Sequence, residues 1–295
     1  MHDGEIPALS VVIASWSGEN AITRCLEKLL PQAGSAEVII ASRGVSDLAA
    51  TLAPSFPRIR FVRGPANASV FLLRSLGVKE ARGKSIALLE DHVTVSEHWV
   101  EAITTAHAEG KMICGGPIEN DPGADAYQWA LYFVEYGIYM PPIPEGEAGI
   151  LSGANIAYDR EALMKCRDVW ESAFYETDVN AALLRAGHTL TLLPTACVSS
   201  RLRMPLREAL HHLFTGGAHY GCFRKSRTSW HARPFWFFAA LVIPFVLLLR
   251  ILRIAATRHP ARLLQIIRGL PFLVLLIGAW SAGETLGYAR HTTAK

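Results

Sequence analysis

A chain of 295 residues with 51% hydrophobic content is long enough for one large domain plus an appendage, and is too apolar for a disordered chain. Its cysteines, Cys25, Cys114, Cys166, Cys197 and Cys222, are scattered without Cys-x-x-Cys spacing, which excludes a small disulfide framework and leaves reduced thiols as the expected state. The net charge of +3 conceals a division: residues 201–295 carry 14 Lys and Arg against Glu208 and Glu284, whereas residues 1–200 carry 15 against 24 acidic residues. Because the basic tail is interleaved with long apolar runs, a membrane surface is its expected partner and nucleic acid is not.

The opening Met1-His2-Asp3-Gly4-Glu5 is acidic where a secretory signal would be basic, so the front of the chain is expected to stay cytoplasmic. Leu9 to Ala14 is a continuous apolar run that reads as a buried strand. A helical pattern follows through Ile22, Leu26, Leu29 and Leu30. Further strands are predicted at 37–41, 58–63 and from Ser85, with a helix marked by Val70, Leu73, Leu76 and Val78 between the last two. This alternation predicts βαβ units around a mostly parallel sheet, with short apolar strands buried on both faces.

The strand from Ser85 ends in Leu88-Leu89-Glu90-Asp91-His92. Ligands bind outside the carboxyl ends of strands in open α/β sheets, and carboxylates there can seat a hard cation that neutralises a diphosphate. Glu90, Asp91 and His92 are therefore candidate metal ligands; the bland alternative is a solvated strand end. Further on, Tyr175-Glu176-Thr177-Asp178 opens a helical run through Val179, Ala182 and Leu183. Its two carboxylates are candidate general bases, needed because an alcohol is a poor nucleophile at neutral pH. Helix capping is the competing explanation. Between these motifs stands Leu151-Ser152-Gly153-Ala154-Asn155, where Gly153 permits close backbone approach and Asn155 is either a hydroxyl ligand or a turn residue. Trp129, Tyr132, Phe133, Tyr136 and Tyr139 are spaced as one face of a buried helix.

After residue 200, Leu206, Leu210, Leu213, Phe214 and Gly217 share one side of a helical wheel opposite Arg207, Glu208 and His211, an amphipathic pattern suited to a membrane surface. Pro234 to Leu249 and Gly269 to Gly283 are uncharged apolar runs, slightly shorter than the roughly 17 residues of a minimal span. Arginines flank both, and Pro244 interrupts the first, so membrane embedding is expected, either as full crossings or as re-entrant helices. Three regions follow: a catalytic domain over 1–200, an interface helix and basic linker over 201–233, and two membrane-embedded helices over 234–295.

Several segments together resemble the inverting family-2 glycosyltransferases of GT-A fold. Leu9-Ser10-Val11-Val12-Ile13-Ala14-Ser15-Trp16 is similar to that family's first strand and the turn over the nucleotide. Glu37-Val38-Ile39-Ile40 with Ser42-Arg43-Gly44-Val45-Ser46-Asp47 resembles its second strand and base-recognising turn, although Ser42 and Arg43 stand where an Asp is usual. Asn67, Arg74, Gly77, Ala81-Arg82-Gly83, Glu90-Asp91-His92 and Trp99 resemble the run through its Asp-x-Asp motif. The resemblance implies a GT-A α/β fold over about residues 7–200 and a nucleotide-diphosphate sugar donor. Ala14, Trp16, Ser42, Arg43, Arg74, Asp91, Gly153 and Asn155 then become donor-binding candidates. It further implies Mn²⁺ or Mg²⁺ at Glu90, Asp91 and His92, with an imidazole ligand favouring Mn²⁺. By position, Glu176 corresponds to the family's base and is preferred over Asp178. A lipid-linked or membrane-held acceptor would account for the apolar tail. The alternatives are an inactive membrane scaffold of the same fold and a nucleotidyltransferase.

Overall fold

The structure is a computed structural model that describes residues 6–44, 47–226 and 242–289. It divides into two compact units that do not follow chain order: Met1–Glu119 with Tyr139–Arg201, and Asn120–Ile138 with Leu202–Lys295.

In the first unit, β1 (Leu9–Ser15), α1 (Glu19–Ala33), β2 (Glu37–Arg43), α2 (Leu48–Leu52), β3 (Arg60–Gly64), α3 (Val70–Glu80) and β4 (Ser85–Glu90) follow the expected alternation. After them come β5 (Val93–Val95), α4 (Trp99–Ala108), β6 (Ile113–Gly115) and β7 (Ile118–Asn120). One sheet has the order β3-β2-β1-β4 with all four strands parallel. It continues through strands contributed later in the chain: β9 (Asn155–Asp159) lies antiparallel between β4 and β6, and β10 (Leu190–Leu192) pairs with β6 and with β8 (Gly146–Ala148). A small second sheet joins β5, β11 (Val198–Ser200) and β7.

The GT-A-like α/β architecture expected from the sequence is thus present, with its parallel half built from the apolar runs. Every residue of β1 and β4 is buried. Alternate positions supply one face: Val12, Ile39, Ile86, Leu88, Ile156 and Tyr158 share a core with Val78, Trp170, Phe174, Val179 and Leu183. The last four of these come from α7 (Arg167–Trp170), from α8 (Glu176–Arg185) and from the segment between them, with α5 (Ala126–Glu135) and α6 (Arg160–Lys165) earlier in the chain.

A polar cluster ties the starts of β1, β2 and β3. Glu37 accepts hydrogen bonds from Ser10 Oγ at 2.6 Å, Arg82 N at 2.9 Å and Arg60 Nη1 at 2.7 Å. Burial pushes its carboxyl up, but the Ser10, Arg82 and Arg60 donors outweigh burial and hold it below the ordinary value of 4.5. A depressed folded value means the stabilisation is present at neutral pH and lost as pH falls through that value. Glu37→Gln is expected to melt below wild type at pH 7, with the gap closing as pH drops below 4.5. A gap constant from neutral to strongly acidic pH would show that the charge plays no part.

The second unit contains α5, α9 (Leu206–Ser226), α10 (Ile243–Arg258) and α11 (Leu263–Ala289). Residues 120–138 therefore associate with the tail, a departure from a single boundary at 200. Helix α5 buries Trp129, Leu131, Tyr132 and Phe133, while Tyr136 and Tyr139 of the expected aromatic face are buried beyond its end at Glu135, and Arg262 lies 4.7 Å above the Trp129 ring. The α9 and α11 backbones approach closely through Gly217, Gly221, Gly283 and Gly287, where any Cβ would meet opposing main chain. The buried Glu284 accepts from Arg224 across this seam at 3.3 Å and from Tyr288 Oη on its own helix at 2.8 Å. His212 stands 3.4 Å from Glu135, a partner too distant in sequence to be anticipated.

Among the described residues, one stretch is long and apolar enough to cross a membrane, Pro260–Ala289. It contains the expected run from Gly269 to Gly283 and extends it at both ends. Residues 234–241 of the other apolar run lie outside the described residues, and the remainder enters α10. Phe245, Val246 and Leu249 on α10, with Ile267, Val274 and Leu275 on α11, leave large apolar side chains exposed.

Candidate active site

Parallel pairing aligns the carboxyl ends of β1, β2 and β4: Ala14 lies opposite Glu90, and Ser15 opposite Ser42. Antiparallel β9 begins at the same edge, with Asn155 opposite Leu89, so the residues just before it return to the end of β4. The sheet thereby gathers segments spread over much of the first unit at one rim, where open α/β sheets bind ligands.

Glu90 stands at that rim, 6% exposed. Its Oε1 accepts from Arg74 Nη2 at 2.5 Å and its Oε2 from Trp16 Nε1 at 3.1 Å. Arg74 Nη1 donates to Glu176 Oε2 at 2.7 Å. Residues 102 positions apart are joined this way because α3 is tied to the chain entering α8. Phe174 N donates to Phe71 O at 2.8 Å, Ser75 Oγ donates to Glu171 O at 2.7 Å, and the Phe71 and Tyr175 rings stack at 4.0 Å. Glu176 and Asp178 occupy the first turn of α8, where the N-terminal end of the helix dipole favours carboxylates. Burial, reinforced by the charges of Asp178 and Glu176, pushes the Tyr175 phenol up, so it stays protonated beside them.

The three expected metal ligands adjoin one another, and each carboxylate has its own hydrogen-bond partners. Asp91 Oδ2 accepts from Ser15 Oγ at 3.0 Å, Trp16 N at 2.8 Å and Ser17 N at 2.7 Å, so this carboxylate fastens the turn after β1. Burial pushes its pKa up against the pull of His92 and of the Ser17 and Trp16 donors. His92 Nδ1 lies 3.6 Å from Glu90 Oε2, and the imidazole meets the Trp16 ring edge-on at 5.8 Å. Among the described residues no three His, Cys, Asp or Glu side chains are gathered as an ion cage. Glu90 and His92 still offer a carboxylate oxygen and an imidazole nitrogen side by side, a donor pair that fits Mn²⁺ with further ligands from a diphosphate or water. Asp91 spends Oδ2 on those three donors, whereas its buried Oδ1 makes no hydrogen bond and lies 4.0 Å from His92 Nδ1.

The other sequence-derived candidates also divide. Trp16 and Arg43 are partly exposed at the rim; Arg43 Nε donates to Ala68 O at 2.9 Å, and its guanidinium lies 6.0 Å from the Trp16 ring. Ser42 is buried beneath them at 7% exposure. Ala14 is a core residue, packed with Ala41, Ala68, Val70 and Leu73. Gly153 faces the Arg74 guanidinium, not an open approach: a Cβ there would sit 2.5 Å from Nη1. Asn155 corrects the expectation most clearly. It is wholly buried, donates to Pro117 O at 3.1 Å and Ala196 O at 2.8 Å, and accepts from Trp99 Nε1 at 2.9 Å. These three internal hydrogen bonds make the amide a pin between the start of β9, the N-terminal end of α4 and the chain before β7 and β11.

The Arg74 bridge was not legible as a bridge. Its one sequence signal is that Arg74 is the sole charge between Val70 and Val78, an arginine in an apolar helix that burial obliges to find carboxylate partners.

Solved structures of low identity share the fold. The mannosyltransferase PcManGT from Pyrobaculum calidifontis, solved with GDP-Man and Mn²⁺, superposes with a TM-score of 0.58 at 13% identity, over 94% of this chain and 86% of that one. GalNAc-T7, solved with UDP, GalNAc and Mn²⁺, gives 0.52 at 12% identity, over 77% and 52%. In sequence, EpsH of Bacillus subtilis (strain 168), a protein named as a glycosyltransferase, is 32% identical over 101 residues, a match spanning 33% of this chain and only 28% of EpsH. Residues 10–167, more than half the chain and including β1 through α6, match the Glycosyl transferase family 2 profile, and the chain belongs to that family.

Proposed function

We propose that this protein transfers a sugar, with inversion at the anomeric carbon, from a nucleotide-diphosphate sugar to an acceptor hydroxyl held at a membrane. The observation that carries the reading is the placement of Glu90 and Glu176 on two nitrogens of one guanidinium, which puts the strand-end carboxylate and the base candidate within one site. Glu176 Oε2 is held by Arg74, so Oε1 is the atom that accepts the proton of the attacking hydroxyl. Trp16 and Arg43 form the rim over which the nucleotide lies, the guanidinium and indole offering a stacking face and donors to a base or ribose. Asp91 keeps the turn carrying Trp16 in place. Glu90 and His92 would hold a divalent cation, which supplies charge stabilisation at the departing diphosphate.

The membrane part of the reading is supported by the apolar stretch Pro260–Ala289 and the exposed side chains of α10 and α11. Contiguous exposed apolar surface marks an interaction face, and the basic residues Arg250, Arg253, Arg258 and Arg268 suit anionic headgroups on the cytoplasmic leaflet. Confining enzyme and acceptor to one surface raises their effective concentration.

The test is a donor screen on full-length, detergent-purified protein with lipid-linked and soluble acceptors, scored by nucleoside diphosphate release. Turnover with at least one sugar nucleotide, loss of it in EDTA and recovery with Mn²⁺ are expected, together with flotation on anionic vesicles. Silence across donors, with no calorimetric binding of UDP, GDP or CDP, would overturn the enzymatic reading; turnover unaffected by EDTA would overturn the metal alone.

A further inference from the structure

Arg74 joins the two halves of the site, and three features hold it in one pose. Its side chain is 4% exposed, with Nη2 on Glu90 Oε1 at 2.5 Å and Nη1 on Glu176 Oε2 at 2.7 Å. The guanidinium lies against Gly153, where a Cβ would come within 2.5, 2.6 and 2.7 Å of Nη1, Cζ and Nη2. It also stands 5.7 Å from the Phe71 ring, which is itself stacked on Tyr175, the residue before Glu176. The glycine leaves the room that the arginine fills.

Glu176 is otherwise weakly restrained. Its side chain is 24% exposed and it lies on the first turn of a helix whose preceding residue makes no side-chain cap. A partly exposed glutamate samples several rotamers, and ordering it costs entropy that an existing contact has already offset. The planar guanidinium fork reaches two carboxylates at once with little freedom lost per bond, whereas a lysine ammonium on a flexible stem is a point charge.

We propose that Arg74 is a positioning residue: by tethering Glu176 Oε2, with the buried Glu90 as a fixed post, it orients Oε1 toward the attacking hydroxyl. The proposal rests on Glu176 as the base. Arg74 then acts on the chemical step through Glu176, not on the affinity for donor. Glu90 carries a second duty, since it anchors the base through Arg74 as well as marking the strand end.

Steady-state kinetics with a donor found active in the screen, and calorimetry with UDP and GDP, test this on the full chain. Arg74→Lys is expected to lower kcat roughly 10- to 100-fold while donor KM and diphosphate Kd stay within about 3-fold. Gly153→Ala, which displaces the guanidinium without removing its charge, should reproduce that split. Because Arg74 works through Glu176, the double variant Arg74→Lys with Glu176→Gln should be no slower than Glu176→Gln alone. Multiplying losses in the double variant, or an Arg74→Lys protein that binds diphosphate at least about 10-fold more weakly with kcat intact, would overturn the tether and make Arg74 a donor ligand. Active wild type, inactive Glu176→Gln and unimpaired Arg74→Lys together remove the tether and leave the base; a wild type inactive on every donor removes both.

Discussion

Glu176→Gln is expected to reduce kcat by about 100- to 10,000-fold, the usual worth of a positioned general base, while leaving nucleoside diphosphate binding unchanged. The substitution keeps the size of the side chain and an oxygen able to accept from Arg74 Nη1, so the 2.7 Å contact has a replacement and the fold is not the quantity being tested. What disappears is the capacity to hold the proton of the acceptor hydroxyl. Asp178, in the same first turn of α8, supplies the internal comparison: Asp178→Asn should retain most activity. If the two variants exchange these outcomes, the base is Asp178; if both retain full turnover, neither carboxylate takes the proton and acceptor activation lies elsewhere.

Asn155→Ala is expected to cost stability, not recognition. Its amide satisfies Trp99 Nε1, Pro117 O and Ala196 O inside the protein, at a position with no solvent exposure. Truncation strands Trp99 Nε1 and Ala196 O, each costing about 1–3 kcal/mol when left without a partner, while Pro117 O keeps its hydrogen bond from Val198 N. A total of roughly 2 kcal/mol or more is a large share of a typical 5–15 kcal/mol domain stability. The denaturant midpoint should fall with the slope unchanged, and protein kept folded at low temperature should bind nucleoside diphosphate within about 3-fold of wild type. A variant as stable as wild type that no longer binds would return Asn155 to the donor site.

Asn155 and Glu176 illustrate what a linear reading can resolve. Both were candidates because their neighbours resemble family motifs, and the sequence treats them alike. Their environments differ completely: β9 carries Asn155 into the sheet opposite Leu89, whereas the start of α8 leaves Glu176 partly exposed beside Arg74. Asp91 was similarly indistinguishable from Glu90 and His92, since adjacent residues at a strand end point in different directions and only the course of the β1 turn shows which carboxylate it uses.

The sequence by itself determined the βαβ alternation and the buried parallel strands, because uninterrupted apolar runs with intervening helical periodicity have few other ways to leave water. It also determined the apolar, basic character of the tail and the family to which the chain belongs. Tertiary structure alone decided that residues 120–138 join the tail, that the sheet continues through antiparallel β9, and that Arg74 links Glu90 to Glu176. The physical reason is range. Periodicity records the contacts an element needs with a generic apolar neighbour, but a buried charge or amide is satisfied by one particular partner, and no local pattern states which distant segment supplies it.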